Sequence, residues 1–208
     1  VMQTVGIYDV LDFKRIQNGI VITTDSGELP TNEDNLIYKA AKLMIEKYHI
    51  TEGVKIHLEK HIPIAAGMAG GSTDAAATLK GMNRLFDLGC TLKDLMELGV
   101  KIGADVPYCV MGGTALAEGI GEKLTPLAAW AHLPLVILRP PVSVSTGKAY
   151  QLLDHMGKRP MDTTSLAIEA LRDRDEGALA RALSNDFEAG LFPVEPVLWE
   201  TSAYLKTL

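Results

Sequence analysis

Cysteine is nearly absent from this chain. The two that occur, Cys90 and Cys109, lie far apart and without metal-ligand spacing, which excludes a disulfide scaffold and points to free, buried thiols in a reducing compartment. No apolar stretch reaches the roughly twenty residues a membrane-spanning helix needs, and no signal-peptide pattern opens the chain; the expected compartment is the cytoplasm. Basic residues do not dominate: 20 Lys and Arg stand against 26 Asp and Glu, for a net charge of −6. That balance argues against a nucleic-acid partner or a membrane surface, both of which call for a basic face. Internal repeats and low-complexity tracts are missing too. So are the lysine of a Walker A loop and the GxGxxG of a dinucleotide fold.

What is present begins with core-forming material: 208 residues, 47% of them hydrophobic, are ample for one large domain or two small ones. The most informative run is Pro63-Ile64-Ala65-Ala66-Gly67-Met68-Ala69-Gly70-Gly71-Ser72-Thr73-Asp74-Ala75-Ala76-Ala77. It joins a small-residue loop to a helix start. Gly70 and Gly71 are expected to turn through positive φ and admit a polyanion close to the backbone, with Ser72, Thr73 and Asp74 as helix-starting side chains. The first-turn amides then face the anion with the helix dipole behind them.

Hydrophobic periodicity organises the rest. Residues 1–8, 12–16 and 20–24 read as short strands, with Gln17-Asn18-Gly19 as a hairpin turn between the last two, the start of an antiparallel sheet. Residues 35–48 have helical spacing, with Thr31, Asn32 and Asp34 as candidate caps. Residues 53–61 alternate like a half-buried strand, and residues 72–88 and 92–102 read as helices. Gly103-Ala104-Asp105-Val106-Pro107 reads as a turn that Pro107 makes rigid, placing an acid on the bend. A hairpin is expected around Gly119-Ile120-Gly121-Glu122, a buried strand over 133–138, and mainly helices over 146–153, 165–172, 178–183 and 195–205. A shift toward helical composition near residue 132 suggests domains of 1–132 and 133–208. Both ends read as cut: the chain opens on a strand pattern and stops inside a helical one.

The Pro63–Ala77 loop, the Gly103–Pro107 turn with the following Gly112-Gly113-Thr114-Ala115-Leu116-Ala117-Glu118-Gly119, and the Thr31–Leu36 segment together resemble the bacterial 4-diphosphocytidyl-2-C-methyl-D-erythritol kinases. These belong to the superfamily of galactokinase, homoserine kinase, mevalonate kinase and phosphomevalonate kinase. Met68 and Ala69 stand where many members have Leu and Gly. The resemblance implies an α+β, two-domain superfamily-kinase fold: an N-terminal mixed or antiparallel sheet with helices, like domain 2 of ribosomal protein S5, and a C-terminal α/β-plait domain. It implies ATP as co-substrate with Mg²⁺, and transfer of the γ-phosphate to the 2-hydroxyl of a CDP-linked methylerythritol. The ligand is then a small molecule, and the protein a monomer or homodimer.

Residue by residue, the resemblance puts Pro63 and Gly67, Met68, Ala69, Gly70, Gly71, Ser72 and Thr73 around the ATP phosphates, with Asn35 near the adenine and Lys60 within reach of the nucleotide. Ser72, or else Thr73, would offer a hydroxyl to the metal, as hard-cation chemistry prefers. Asp105 would be the catalytic carboxylate, accepting the proton of the acceptor hydroxyl; its bland alternative is a turn acid capping the next segment. Similar kinases pair this aspartate with a lysine near the N-terminus, and that lysine is not in this sequence. Thr146 and Tyr150 would bind the acceptor, Tyr150 by packing on cytosine; as ordinary residues they are a helix cap and a half-buried aromatic. His57 reads as a solvated strand residue, Glu118 and Glu122 as turn residues, and Asn185-Asp186-Phe187-Glu188 as a helix junction. Three rivals stay open: another kinase of the superfamily, a nucleotide-binding module without catalysis, and a structural protein with no ligand.

Overall fold

The computed structural model describes residues 1–130, 133–155 and 162–207. The chain divides into two compact units. One comprises Met2–Ile64 and Met68–Pro126; the other comprises Leu127–Leu208, with Val1 and Ala65–Gly67 grouped with it. Residue 132, where the composition shifts, lies outside the described residues.

In the first unit, strands β2 (Val10–Ile16), β3 (Ile20–Thr24) and β4 (Gly53–Glu59) form one sheet in the order β2-β4-β3. The expected hairpin is not there. β2 pairs antiparallel with β4, with Phe13 opposite Ile56, and β3 pairs parallel with it, with Ile22 opposite Ile56, so β4 lies between the two strands adjacent in sequence. Gly53 makes the crossing possible: a Cβ there would stand 2.3 Å from the Asn18 carbonyl carbon and from the Gly19 oxygen. The Asn18–Gly19 connection passes over the bare start of β4, and the Val54 amide donates to the Gly19 oxygen at 2.9 Å.

Helix α1 (Leu36–Tyr48) connects the parallel pair, as parallel strands require. Its cap is Asn35, whose Oδ1 accepts from the Ile37 amide at 2.8 Å, instead of Thr31, Asn32 or Asp34. Ile37, Ala40, Ala41 and Met44 form its buried stripe and pack with Val54, Ile56 and Leu58 of β4. Helix α2 (Gly70–Leu85) adds Ala75, Leu79 and Met82 to the same core. Each such large side chain taken fully out of water contributes about 1.5–3 kcal/mol. Helix α3 (Leu92–Val100) opens on a reciprocal capping box between Thr91 and Asp94. Helix α4 (Val106–Met111) was not foreseen, because Pro107 reads as a helix breaker. It lies in the first turn, where a missing N–H has no intrahelical partner to lose.

A second sheet has the order β1-β5-β6. β1 is only Met2–Gln3 rather than the whole of residues 1–8, while β5 (Thr114–Glu118) and β6 (Lys123–Pro126) form the expected hairpin. Tyr108 of α4 secures the junction: its hydroxyl donates to the Gly113 oxygen at 2.7 Å and lies 3.2 Å from the Thr4 hydroxyl.

The second unit contains helices α5 (Thr146–His155), α6 (Thr164–Asp173), α7 (Glu176–Ala182), α8 (Phe187–Leu191) and α9 (Pro196–Leu205). Its small core joins Ala167, Ala170 and Leu171 to Leu179 and Ala182, with Leu127, Trp130 and Leu133 against them. The buried strand expected over 133–138 does not form. Pro134 has no N–H for a ladder, no described strand pairs with the run, and Leu135, Val136, Ile137 and Leu138 are exposed.

Candidate active site

The Pro63–Ala77 run leaves the end of β4 and enters α2, as its composition suggests, but its glycines work differently from expectation. Positive φ falls at Ala65 (53°), Gly67 (70°) and Ala69 (52°), whereas Gly70 and Gly71 already belong to the helix. Positive φ at alternate residues is the backbone habit of anion-binding nests, in which successive N–H groups turn to one side. Gly70 is required by proximity: a Cβ there would lie 2.9 Å from the Lys60 Nζ and 3.0 Å from Ile62 Cγ2.

Ala69 caps α2 without a side-chain hydrogen bond, and the first helical bond runs from the Thr73 amide to the Ala69 oxygen at 2.9 Å. The amides of Gly70, Gly71 and Ser72 therefore find no acceptor among the described residues. Open N–H groups at the positive end of a sixteen-residue helix attract anions. The Thr73 hydroxyl is engaged, donating to the Ala69 oxygen at 3.0 Å and to Cys109 Sγ at 3.5 Å. Ser72, half-buried beside it, keeps its hydroxyl uncommitted among the described residues.

Beneath the loop lies a cluster that sequence reading missed. Lys60 is not a solvated strand-end lysine: its side chain is only 6% exposed, and its ammonium sits between the carboxylates of Asp9 and Asp74, the latter at 3.3 Å. Asp9 Oδ1 also accepts from the His61 and Ile62 amides at 2.6 and 2.8 Å. Burial pushes the Asp9 carboxyl up, but Lys60 and those amides outweigh it and hold the group below the usual carboxylate range. Asp74 differs. Burial pushes it up to about 7 against the opposing charge of Lys60, with Asp9 adding to the rise, and its Oδ1 is buried with no hydrogen-bond partner. Asp74 was expected only as one of the side chains that start α2. No sequence signal marks Asp9, because its partners lie 51 to 53 residues away.

Asp105 stands exposed at the N-cap of α4, and its carboxylate caps nothing, so the turn-acid alternative lacks its hydrogen bond. Cys109, one helical turn on, is the thiol that accepts from Thr73. The packing of α2 on α4 thus brings the acid-bearing turn beside the open end of α2. Burial pushes the Cys109 thiol up, the Asp105 charge adding and the Thr73 hydrogen bond opposing, so it stays protonated and unreactive near neutral pH. Both cysteines are free, as expected.

Asn35 is 9% exposed, and its side chain is used locally: Oδ1 caps α1, and Nδ2 donates to the Pro30 oxygen at 2.7 Å. In the second unit, Thr146 begins α5, and its side chain lies outside the described residues. Tyr150 is 55% exposed and meets the ring of Phe187 edge to face, with centroids 5.0 Å apart and planes at 86°. Phe187, expected only to join helices, is a ring partner of Tyr150. His57 hydrogen-bonds Thr23 at 2.9 Å, and Glu122 accepts from the Ile120 amide in its own turn.

Comparison with known proteins bears directly on this arrangement. A profile of the GHMP kinases N terminal domain matches residues 35–113, the span from the α1 cap through the loop and the Asp105 turn. The 4-diphosphocytidyl-2-C-methyl-D-erythritol kinase of Lachnospira eligens is 50% identical over 199 residues, covering 95% of this chain and 69% of that protein. The chain belongs to the 4-diphosphocytidyl-2-C-methyl-D-erythritol kinase family. A second member, from Caldicellulosiruptor saccharolyticus, is 44% identical with the same coverage. A crystal structure of 4-(cytidine 5'-diphospho)-2C-methyl-D-erythritol kinase superposes with a TM-score of 0.76 at 32% identity, over 96% of this chain and 69% of that one. A homoserine kinase from Cytophaga hutchinsonii, 20% identical with a TM-score of 0.69, shares the fold. The family's α+β kinase fold thus agrees with the expected class. Among the described residues no helix is long and apolar enough to cross a membrane.

Proposed function

We propose that this protein is an ATP-dependent kinase that phosphorylates the 2-hydroxyl of 4-diphosphocytidyl-2-C-methyl-D-erythritol, in the non-mevalonate route to isoprenoid precursors and in the cytoplasm. The observation that carries the reading is the packing of Thr73 on Cys109, which sets an anion-seeking helix end beside an unengaged carboxylate. That pairing, within a family whose members carry this name, suits phosphoryl transfer to an alcohol.

The donor site is assigned to Pro63 and Gly67 through Thr73, with Asn35 toward the adenine and Lys60 below. The open amides of Gly70, Gly71 and Ser72 bind phosphate oxygens and stabilise charge as it shifts toward the leaving ADP. Asp105 accepts the proton of the acceptor 2-hydroxyl as its oxygen bonds to the γ-phosphorus and the bond to the ADP oxygen breaks. Thr146 and Tyr150 hold the acceptor, Tyr150 against the cytosine ring.

Among the described residues no group of three or more His, Cys, Asp or Glu is arranged to hold a metal. Mg²⁺ keeps several waters and is held largely by substrate phosphates. The uncommitted Ser72 hydroxyl is the group that would hold it, and the ion would neutralise phosphate charge.

The test is ATP consumption by the purified full-length protein with the CDP-linked acceptor, homoserine and mevalonate in separate reactions. Turnover with the CDP-linked acceptor alone is expected. Turnover confined to homoserine or mevalonate, or MgATP binding without transfer to any of the three, overturns the reading.

A further inference from the structure

The Asp9–Lys60–Asp74 cluster ties together three segments distant in sequence: the approach to β2, the end of β4 and the second turn of α2. All three side chains are at most 6% exposed. Lys60 has two carboxyl neighbours and lies so close under the first turn of α2 that residue 70 has no room for a Cβ. A long flexible side chain is thereby held at a fixed point under the open amides. Its two carboxyl partners are anchored differently: Asp9 by two backbone amides as well, Asp74 through Lys60 and its contact with Asp9, with no backbone amide.

We propose that Lys60 is a positioning residue rather than a nucleotide ligand. Clamped between Asp9 and Asp74, it sets the height and tilt of the first turn of α2 and so aims the Gly70, Gly71 and Ser72 amides at the donor phosphates. The inference rests on the donor site assigned above and sharpens the role of Lys60 within it. A bound phosphate tolerates little displacement of its donors, since hydrogen bonds weaken steeply with angle and distance. The cluster therefore governs donor affinity from beneath the site, without touching the nucleotide.

Substitution separates a clamp from a ligand. In Lys60→Met the two carboxylates lose their shared cation, and the KM for MgATP is expected to rise about tenfold or more while the KM for the CDP-linked acceptor stays within about twofold. Adding Asp74→Asn removes the carboxylate left without a cation, and the double variant is expected to recover part of the lost donor affinity. Gly70→Ala presses on Lys60 from the other side of the contact and is expected to raise the same KM. Melting temperatures measured alongside identify any variant that fails to fold, in which case Asp9→Asn and its double variant with Lys60→Met supply the comparison.

Failure of Asp74→Asn to relieve Lys60→Met overturns the clamp in favour of direct nucleotide contact. A lowered melting temperature with an unchanged KM for MgATP overturns it in favour of a purely structural role. If the unsubstituted protein does not bind MgATP in titration calorimetry, the donor site itself is wrong, an outcome distinct from both.

Discussion

At Ala69 the backbone takes φ 52°, the left-handed region, just before the open amides of α2. A Cβ there costs about 1 kcal/mol against glycine, the residue many superfamily members carry at this point. Ala69→Gly is expected to raise the melting temperature by about 2–4 °C in calorimetry, since the strain is relieved without loss of any contact the helix uses. Asp74 gives a pH signature. Its folded carboxyl titrates near 7 against an unfolded value near 3.8, so the folded state holds the proton more tightly. Its contribution is most favourable below about pH 4, declines as pH rises toward 7 and is flat above. Asp74→Asn mimics the protonated form, so the variant is expected to exceed the parent in melting temperature at pH 8 by clearly more than near pH 4.5. Equal differences at the two pH values would show that Asp74 is ionised throughout. Neither effect was legible in the sequence. The loop's glycine content drew the positive φ to Gly70 and Gly71, whereas the requirement falls on the residues before them.

Elements were legible where one periodicity ruled. The stripe of α1, the alternation of β4 and the glycine turn between β5 and β6 appear where the pattern puts them, because each buries a face against a single partner layer. Errors gathered where a neighbour in space decides. Gln17-Asn18-Gly19 has good hairpin composition, yet β4 inserts between the strands it joins, because a parallel βαβ unit buries α1 on the sheet. That insertion depends on Gly53. Gly53→Ala would drive a methyl into the Asn18–Gly19 backbone and is expected to cost about 3 kcal/mol, seen as a lower urea midpoint with an unchanged slope. The run over 133–138 shows the same limit from the other side: apolar residues suffice for a strand only where a partner offers its N–H and C=O groups.

For the whole molecule, the donor residues other than Gly67 belong to the compact unit of Met2–Ile64 and Met68–Pro126, the acceptor residues Thr146 and Tyr150 to the other, and substitutions should separate accordingly. Tyr150→Ala is expected to raise the KM for the CDP-linked acceptor about tenfold with the KM for MgATP unchanged, the loss of one ring stacked on a base. Asp105→Asn is expected to lower kcat by about 10²–10⁴ with both KM values close to the parent, because a proton acceptor acts in the transition state. A Tyr150→Ala enzyme with normal acceptor KM, or an Asp105→Asn enzyme with normal kcat, refutes the corresponding assignment. The linear order of residues was enough to reach the kinase family and the strand–loop–helix order around the loop, since these rest on contiguous motifs whose backbone requirements are local. Folding in three dimensions alone decided that Lys60 is enclosed by Asp9 and Asp74, that Thr73 reaches Cys109, and that Phe187 meets Tyr150. Those contacts join residues 14 to 51 positions apart, and burial, which no local pattern reports, shifts the titration of Asp74 and Cys109 within them.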